Sequence, residues 1–309
     1  MIGGILYVIV RLLVALLEIL PLALVARLGR FGGTCFYWLD ARHRRVALRN
    51  LEMCFGSEMD RTQQRAIARE NFRRIGENFA SAVKTSTMSF AELQHNVEFV
   101  NTKEALADGH EPNPRSRVFA VGHFGNFELL THFGQIAPSY RTTTTYRGLD
   151  HPALDRLLRS LRARSGCMLF ERRTEVKALR AALASGGFLL GLLVDQHAGR
   201  RGVRIPFLGH ECSTSPAPAV FALRYDCPLH TAVCYRVGLA RWRIEAGKEI
   251  PTRENARPRP VEAIMRDVNA AFEAAVRRDP ANWFWVHNRW KPAPPAFVRP
   301  GARLGAAAE

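Results

Sequence analysis

A single histidine in the chain is followed at the fifth position by an acid: His123 and Glu128, in the stretch VFAVGHFGNFELL from Val118 to Leu130. An imidazole hydrogen-bonded through one ring nitrogen to a carboxylate has its tautomer fixed and its other nitrogen free as a base. Such a base can take the proton of a substrate hydroxyl, which is otherwise a poor nucleophile at neutral pH. The pair therefore suits acyl transfer to an alcohol, with no serine or cysteine intermediate required. On an ideal helix a five-residue step leaves two side chains about 140° apart, so His123 and Glu128 would not share a helical face. They meet if His123 sits in the loop after a strand and Gly125-Asn126 turns the chain into a helix. Glu128 then falls in the first turn, where the helix dipole favours an anion. Alone the pattern says little: ten histidines and 28 acids in 309 residues leave about one such match to chance, the other reading being a histidine at a strand end.

The elements around the pair give it context. From about residue 96, short apolar runs alternate with amphipathic stretches. The pattern predicts strands at 97–100, 118–121, 142–146, 188–194, 229–235 and 241–245, and helices at 101–108, 126–136, 151–164, 174–185, 214–225 and 260–278. Alternation of this kind indicates an α/β domain with a mixed, mostly parallel sheet flanked by helices. RVFAV and FLLGLLV are continuously apolar, as expected of strands covered on both faces. In such sheets, functional residues gather past the carboxyl ends of strands. His123 and Asp195 both stand there, each just after an apolar run. Residues 58–85 are polar with helical periodicity in Ala66, Ile67, Phe72, Ile75 and Phe79.

The rest of the chain limits the partners. With 44 Lys+Arg against 28 Asp+Glu the net charge is +16, which favours anionic partners. The arginines are dispersed and lack the interleaved aromatic platform of single-strand binders, so no nucleic acid is expected. The six cysteines are scattered without a CxxC, which fits a reducing compartment and no structural metal. There is no HExxH and no P-loop, so no metal and no cofactor are expected. Residues 2–28 are largely apolar but broken by Arg11, Glu18 and Pro21, short of a clean ~20-residue transmembrane run. Arg27, Arg30, Arg42, Arg44, Arg45 and Arg49 follow, which would hold that side near anionic headgroups in the cytoplasm. A membrane anchor helix over 1–30 is the reading adopted, spanning or not; a buried amphipathic helix of a soluble domain is the alternative. The domain then runs over 31–291, and the Pro-, Ala- and Gly-rich tail 292–309 is expected to be poorly ordered.

Three ordered strings, GHFGNFE, VDQHAGRRGVRIPFLG and WFWVHNRWK, with YRGLDHPALDRLLRSLRARSG between the first two, carry more weight than any pair. Together they resemble the bacterial late acyltransferases of lipid A synthesis, within the wider lysophospholipid acyltransferase superfamily. The resemblance runs from about Arg49 to Lys291, and the N-terminal hydrophobic segment fits it. It implies an inner-membrane enzyme, with its catalytic domain on the cytoplasmic face. Such an enzyme would move a fatty acyl chain from acyl carrier protein, or acyl-CoA, to a hydroxyl of a lipid A precursor. Another bacterial lipid is the alternative acceptor. Carried over, His123 would be the general base and Glu128 its orienting acid. Asn126 would fix the loop or donate to substrate, and Asp195 and Gln196 match the family's DQ element. Arg162 matches an arginine near the family's active site, with Arg164 as its close second for binding phosphate. Asp195 also reads as a cap, and either arginine as a solvated helix face. Pro206, Phe207 and Gly209 are expected to shape the pocket wall, and His197 departs from the family pattern. Trp283, Trp285 and Trp290 with Arg289 are expected chiefly to pack against the sheet. The 141–180 window, rich in arginine, is the expected docking face for an acidic carrier protein.

Overall fold

Helical periodicity dominates the chain up to about residue 85, and that part folds as four helices. The computed structural model describes residues 2–292. Helix α1 spans Ile2–Ile19, α2 Leu22–Leu39, α3 Ala41–Phe55 and α4 Arg61–Thr85. Residues 1–30 are therefore not one helix. Pro21 cannot donate a backbone N–H and its φ of −59° with ψ 140° sets a corner between α1 and α2. Asp40 caps α3 through the His43 N–H, and Asp60 with Gln63 closes a capping box on α4.

Helices α2 and α4 lie backbone against backbone. A Cβ added at Gly33 would overlap the Phe72 carbonyl, and one at Gly76 would overlap that of Gly29. The contact is sealed by Glu77, whose side chain is fully buried. It accepts from Arg30 on α2 (3.2 Å), from Arg236 (2.8 Å) and from the Ala240 N–H (2.9 Å). Removing one partner of such a buried network costs about 3–5 kcal/mol.

The α/β part follows. Short helix α5 (Phe90–Leu93) leads to β1 (Val97–Val100), α6 (Thr102–Ala105) and β2 (Arg117–Val121). Next come a 3₁₀ segment at Phe127–His132, α7 (Phe133–Ile136), β3 (Arg141–Tyr146), α8 (Pro152–Ala163), β4 (Met168–Glu171), α9 (Val176–Ala184) and β5 (Phe188–Leu193). The hairpin β6 (Val203–Phe207) and β7 (His210–Thr214) precedes α10 (Ala217–Arg224), β8 (Leu229–Gly238) and β9 (Arg241–Ala246). A small ribbon of β10 (Arg253–Glu254) and β11 (Arg257–Pro258) then leads into α11 (Val261–Arg278). The main sheet runs β1-β9-β8-β2-β5-β3-β4, parallel except for the β8–β9 pair. The expected mixed, mostly parallel sheet is thus present.

The two continuously apolar strands are covered on both faces, as their composition required. Val118 and Ala120 on β2, with Leu190 and Leu192 on β5, join a core with Phe272, Val268 and Ile264 of α11. Phe119 and Val121, with Leu189, face the opposite core, beside Leu130, Phe133 and Trp242. Each of the Val, Leu, Ile and Phe side chains contributes about 1.5–3 kcal/mol on burial.

Among the described residues no helix is long and apolar enough to cross a membrane. Ile5, Leu6, Val8, Ile9, Leu12, Leu13, Leu16 and Ile19 of α1 are nevertheless exposed, as are Leu24, Leu28, Phe31, Trp38 and Leu39 of α2. The expected tail, from residue 293 onward, lies outside the described residues.

Candidate active site

The register of two neighbouring strands builds the centre of the site. Strands β2 and β5 are parallel with Val121 opposite Leu193, and the Val194 N–H donates to the Val121 carbonyl. Two residues further on each chain lie His123 and Asp195, side by side at the carboxyl edge of the sheet. His123 Nδ1 is 2.7 Å from Asp195 Oδ1, and the His123 backbone N–H donates to Oδ2 at 2.7 Å. Trp283 Nε1 donates to the same Oδ2 at 2.7 Å. Asp195 is fully buried, which opposes its charge, but these contacts to His123 and Trp283 still hold its carboxyl below the ordinary range. An ionised Asp195 accepts a hydrogen bond from Nδ1–H, which leaves Nε2 as the basic nitrogen. That nitrogen lies 3.3 Å from Gln196 Nε2, and the rings of Phe127 and Phe284 flank the imidazole at 4.8 and 5.8 Å.

Glu128 does not orient the imidazole, contrary to the sequence-based expectation. Its carboxylate forms a two-pronged pair with Arg162, one contact being Nε to Oε2 at 2.8 Å and the other joining Nη2 to Oε1. The reason lies in the loop. Gly125 adopts φ 49°, and a Cβ there would run into the Cys234 carbonyl. Its N–H donates to the Asn282 carbonyl, while Asn282 Nδ2 donates to Cys234. Pinned in this way, the chain forms a 3₁₀ segment over the first part of the expected helix, becoming α-helical only at Phe133–Ile136, and Glu128 faces α8. Burial works against Arg162, but the Glu128 contacts raise its pKa.

Arg164 departs from expectation too. Two residues along a helix turn the side chain by about 200°, so it faces away from Arg162. It pairs instead with Glu18 of α1 at 2.8 Å, tying the N-terminal helix to α8. Asn126 is buried beside His123, and neither of its amide atoms has a partner among the described residues. It faces a void of about 20 Å³ shared with His123 and Glu128. Gln196 lines the main cavity.

That cavity holds about 640 Å³ and opens beside the imidazole. His123, Glu128, Arg162 and Gln196 stand on its wall, together with Phe127, His197 and His287. Its floor is one face of the sheet. The register sets Val121 and Leu193 in one row, and Phe119, Gly191 and Thr144 in the next. Arg147, Arg172 and Lys291, all exposed, lie on its rim.

The terminal tryptophans are expected from the sequence chiefly to pack. They do pack: Trp283 and Trp285 are buried with rings 4.8 Å apart. Trp283 also anchors Asp195. Arg289, fully buried with its pKa lowered by burial, donates to the Gln196 carbonyl at 2.5 Å, to the Ser213 carbonyl at 3.0 Å and to Thr214 Oγ1 at 2.7 Å. His287 carries no signal in the sequence beyond its place in the WFWVHNRWK string. It accepts from the His197 N–H at 3.0 Å, and burial pushes its pKa down to about 4. Indole and guanidinium groups clustered within eight residues were the signal that this segment carries polar duties.

The family model described as bacterial lipid A biosynthesis acyltransferase matches residues 3–292. The chain belongs to that family. This acyltransferase is also 26% identical over 290 residues to a protein of Haemophilus influenzae named lipid A biosynthesis acyltransferase, covering 89% of this chain and 86% of the other. In this member of the family the His123 imidazole is coupled to the acid of the DQ element, Asp195, while the acid of its own motif, Glu128, positions an arginine.

Proposed function

We propose that this acyltransferase moves a fatty acyl chain from the thioester of acyl carrier protein to a hydroxyl of a lipid A precursor, at the cytoplasmic face of the inner membrane. The observation that carries the mechanism is the imidazole itself: Nδ1 held by Asp195, Nε2 turned to a cavity of about 640 Å³. His123 Nε2 takes the acceptor's hydroxyl proton as that oxygen attacks the thioester carbonyl. The tetrahedral intermediate then expels the thiolate, which leaves with the proton held by the imidazolium. Buried Asp195 stabilises the transient cation and Trp283 fixes the carboxylate.

Direct transfer is favoured over a covalent enzyme intermediate. Cys167 lines the cavity, but burial pushes its thiol up to about 12, so it stays protonated and poorly nucleophilic. Gln196 stands beside the ring in the cavity as a group that orients the acceptor, and buried Asn126 fixes the loop that carries His123. Arg162, steadied by Glu128, presents its guanidinium to the cavity wall, where it positions the anionic parts of either substrate.

Two surfaces support the partners. The exposed apolar side chains of α1 and α2 fit an in-plane seat on phospholipid, the short broken helices lying in the interface rather than across it. The exposed arginines at 141, 147, 156, 164, 172, 173 and 180 fit an acidic carrier protein.

His123→Ala should abolish acyl transfer in a membrane assay while leaving the melting temperature near that of the parent. Full activity in that variant ends the mechanism. Mass spectrometry of lipids from a deletion strain tests the acceptor: loss of one acyl chain from lipid A is the expected outcome, and an unchanged lipid A assigns the enzyme to another lipid.

A further inference from the structure

Strand β5 is a core strand with a hole in it. Phe188, Leu189, Leu190 and Leu192 are buried, yet between them Gly191 is partly exposed to the cavity. A glycine inside a strand weakens it, and commonly marks a place where something approaches the backbone closely. Nothing local demands glycine here. Its φ is not in the left-handed region, and a Cβ added to it would meet only Val121 Cγ2, at 3.9 Å, an ordinary contact. Backbone and space both accept a side chain, so the open floor is a property of the cavity and not of the turn chemistry.

The floor continues from the imidazole. Gly191 lies four residues before Asp195 along an extended chain, about 13 Å down the sheet at ~3.3 Å per residue. Between them the surface is apolar, made of Val121 and Leu193 in one row and Phe119 beside Gly191 in the next. Thr144, on the other side of Gly191, donates its hydroxyl to the Gly191 carbonyl at 2.8 Å, which removes that polar group from the floor. Leu130 and Phe133, which packs on Phe119 with rings 5.5 Å apart, extend the apolar lining. The mouth, by contrast, is cationic. One end thus suits the headgroup side of a thioester and the other a flexible alkyl chain.

We infer that the cavity beneath His123 holds the donor's acyl chain, and that Gly191 sets the length of chain it accepts. The inference rests on acyl transfer at His123. A thioester carbonyl beside Nε2 leaves its first methylenes against Val121 and Leu193, and the later ones cross the sheet where Gly191 has no side chain. A branched side chain at 191 fills the space those later methylenes occupy, while shorter chains still end above it.

The test uses the full-length protein with a fixed acceptor and a series of carrier-bound saturated donors from octanoyl to stearoyl. Gly191→Val should shift the kcat/KM profile toward shorter chains, the longest good donor of the parent losing roughly tenfold or more against the shortest for every two methylenes expelled. Gly191→Ala, a milder change, should shift it in the same direction and less. A uniform fall across all lengths, or an unmoved profile, overturns the inference. So does a change in acceptor KM without a change in donor preference, because the cavity would then hold the acceptor's chain. Displacement of a fluorescent fatty acid by saturated acids of graded length separates the two readings. A displacement profile that shifts toward shorter acids in Gly191→Val while no donor supports transfer in the parent leaves the acyl site standing and removes the reaction. No shift in displacement removes the site.

Discussion

At the residue scale the site depends on one buried carboxylate that accepts three hydrogen bonds, two from His123 and one from Trp283. Asp195→Asn keeps the shape and an acceptor oxygen but favours the wrong imidazole tautomer. It should lower kcat by about 10²–10⁴-fold with little change in melting temperature; steady-state kinetics beside calorimetry checks both. His287 makes a separate prediction about acid. Its pKa is pushed from 6.5 to about 4 in the folded chain, so folding favours the neutral ring. The stability this provides is complete above about 6.5 and is lost as the pH falls toward about 4. His287→Gln, which still offers an acceptor to the His197 N–H, should flatten that part of the stability-versus-pH curve measured by denaturant titration. The sequence already marked His123 and Asp195 as strand-end residues. It could not say that their strands are neighbours, so the acid nearer in sequence, Glu128, looked like the partner. Spacing along the chain is a poor guide once a glycine with φ 49° and a 3₁₀ segment intervene.

At the scale of elements the α2–α4 contact is the firmest prediction. Gly33→Leu would drive a side chain into the Phe72 carbonyl, and overpacking of this kind typically costs about 1–3 kcal/mol. Thermal melting should show the loss, with α4 losing its register against the residues of the terminal segment that Asn71 holds, the carbonyls of Ala281 and Trp283. Strands with strong apolar runs, β2 and β5, were legible in the sequence because burial on both faces leaves no polar alternation. The missed elements were of the other kind. Strand β4 sits at the sheet edge with four half-buried residues, and β6 contains Pro206, so neither shows a run or a period long enough to read. The break at Pro21 was visible as a residue. Its consequence, two packed helices in place of a single one over 1–30, depended on the glycines that let α2 lie on α4.

At the scale of the whole molecule, charge and apolar surface divide the labour. Leu12→Glu with Leu16→Glu should reduce sedimentation with anionic vesicles by about tenfold or more, since both side chains are exposed on α1 and charge is costly in the acyl region. Activity on a detergent-dispersed acceptor should fall far less. If the arginine-rich face steers the carrier, turnover with a carrier-bound donor should fall as salt rises through the range where the Debye length drops below about 10 Å; a flat response would show that steering does not operate. The charge of +16 and the apolar N-terminus were both plain in the sequence, whereas their relation to the site was not. Arg164 supplies it, joining α1 to the helix that carries Arg162.

The grip of Trp283 on Asp195 and of Arg289 on Gln196 has a consequence for biogenesis. The histidine and its acid are synthesised long before the indole and guanidinium that align them. A nascent chain still on the ribosome, or one cut short before residue 283, holds the reacting groups without the brace that sets their geometry. A chain ending before residue 283 should therefore show no acyl transfer even where His123 and Asp195 are present, which an activity assay on such truncations checks.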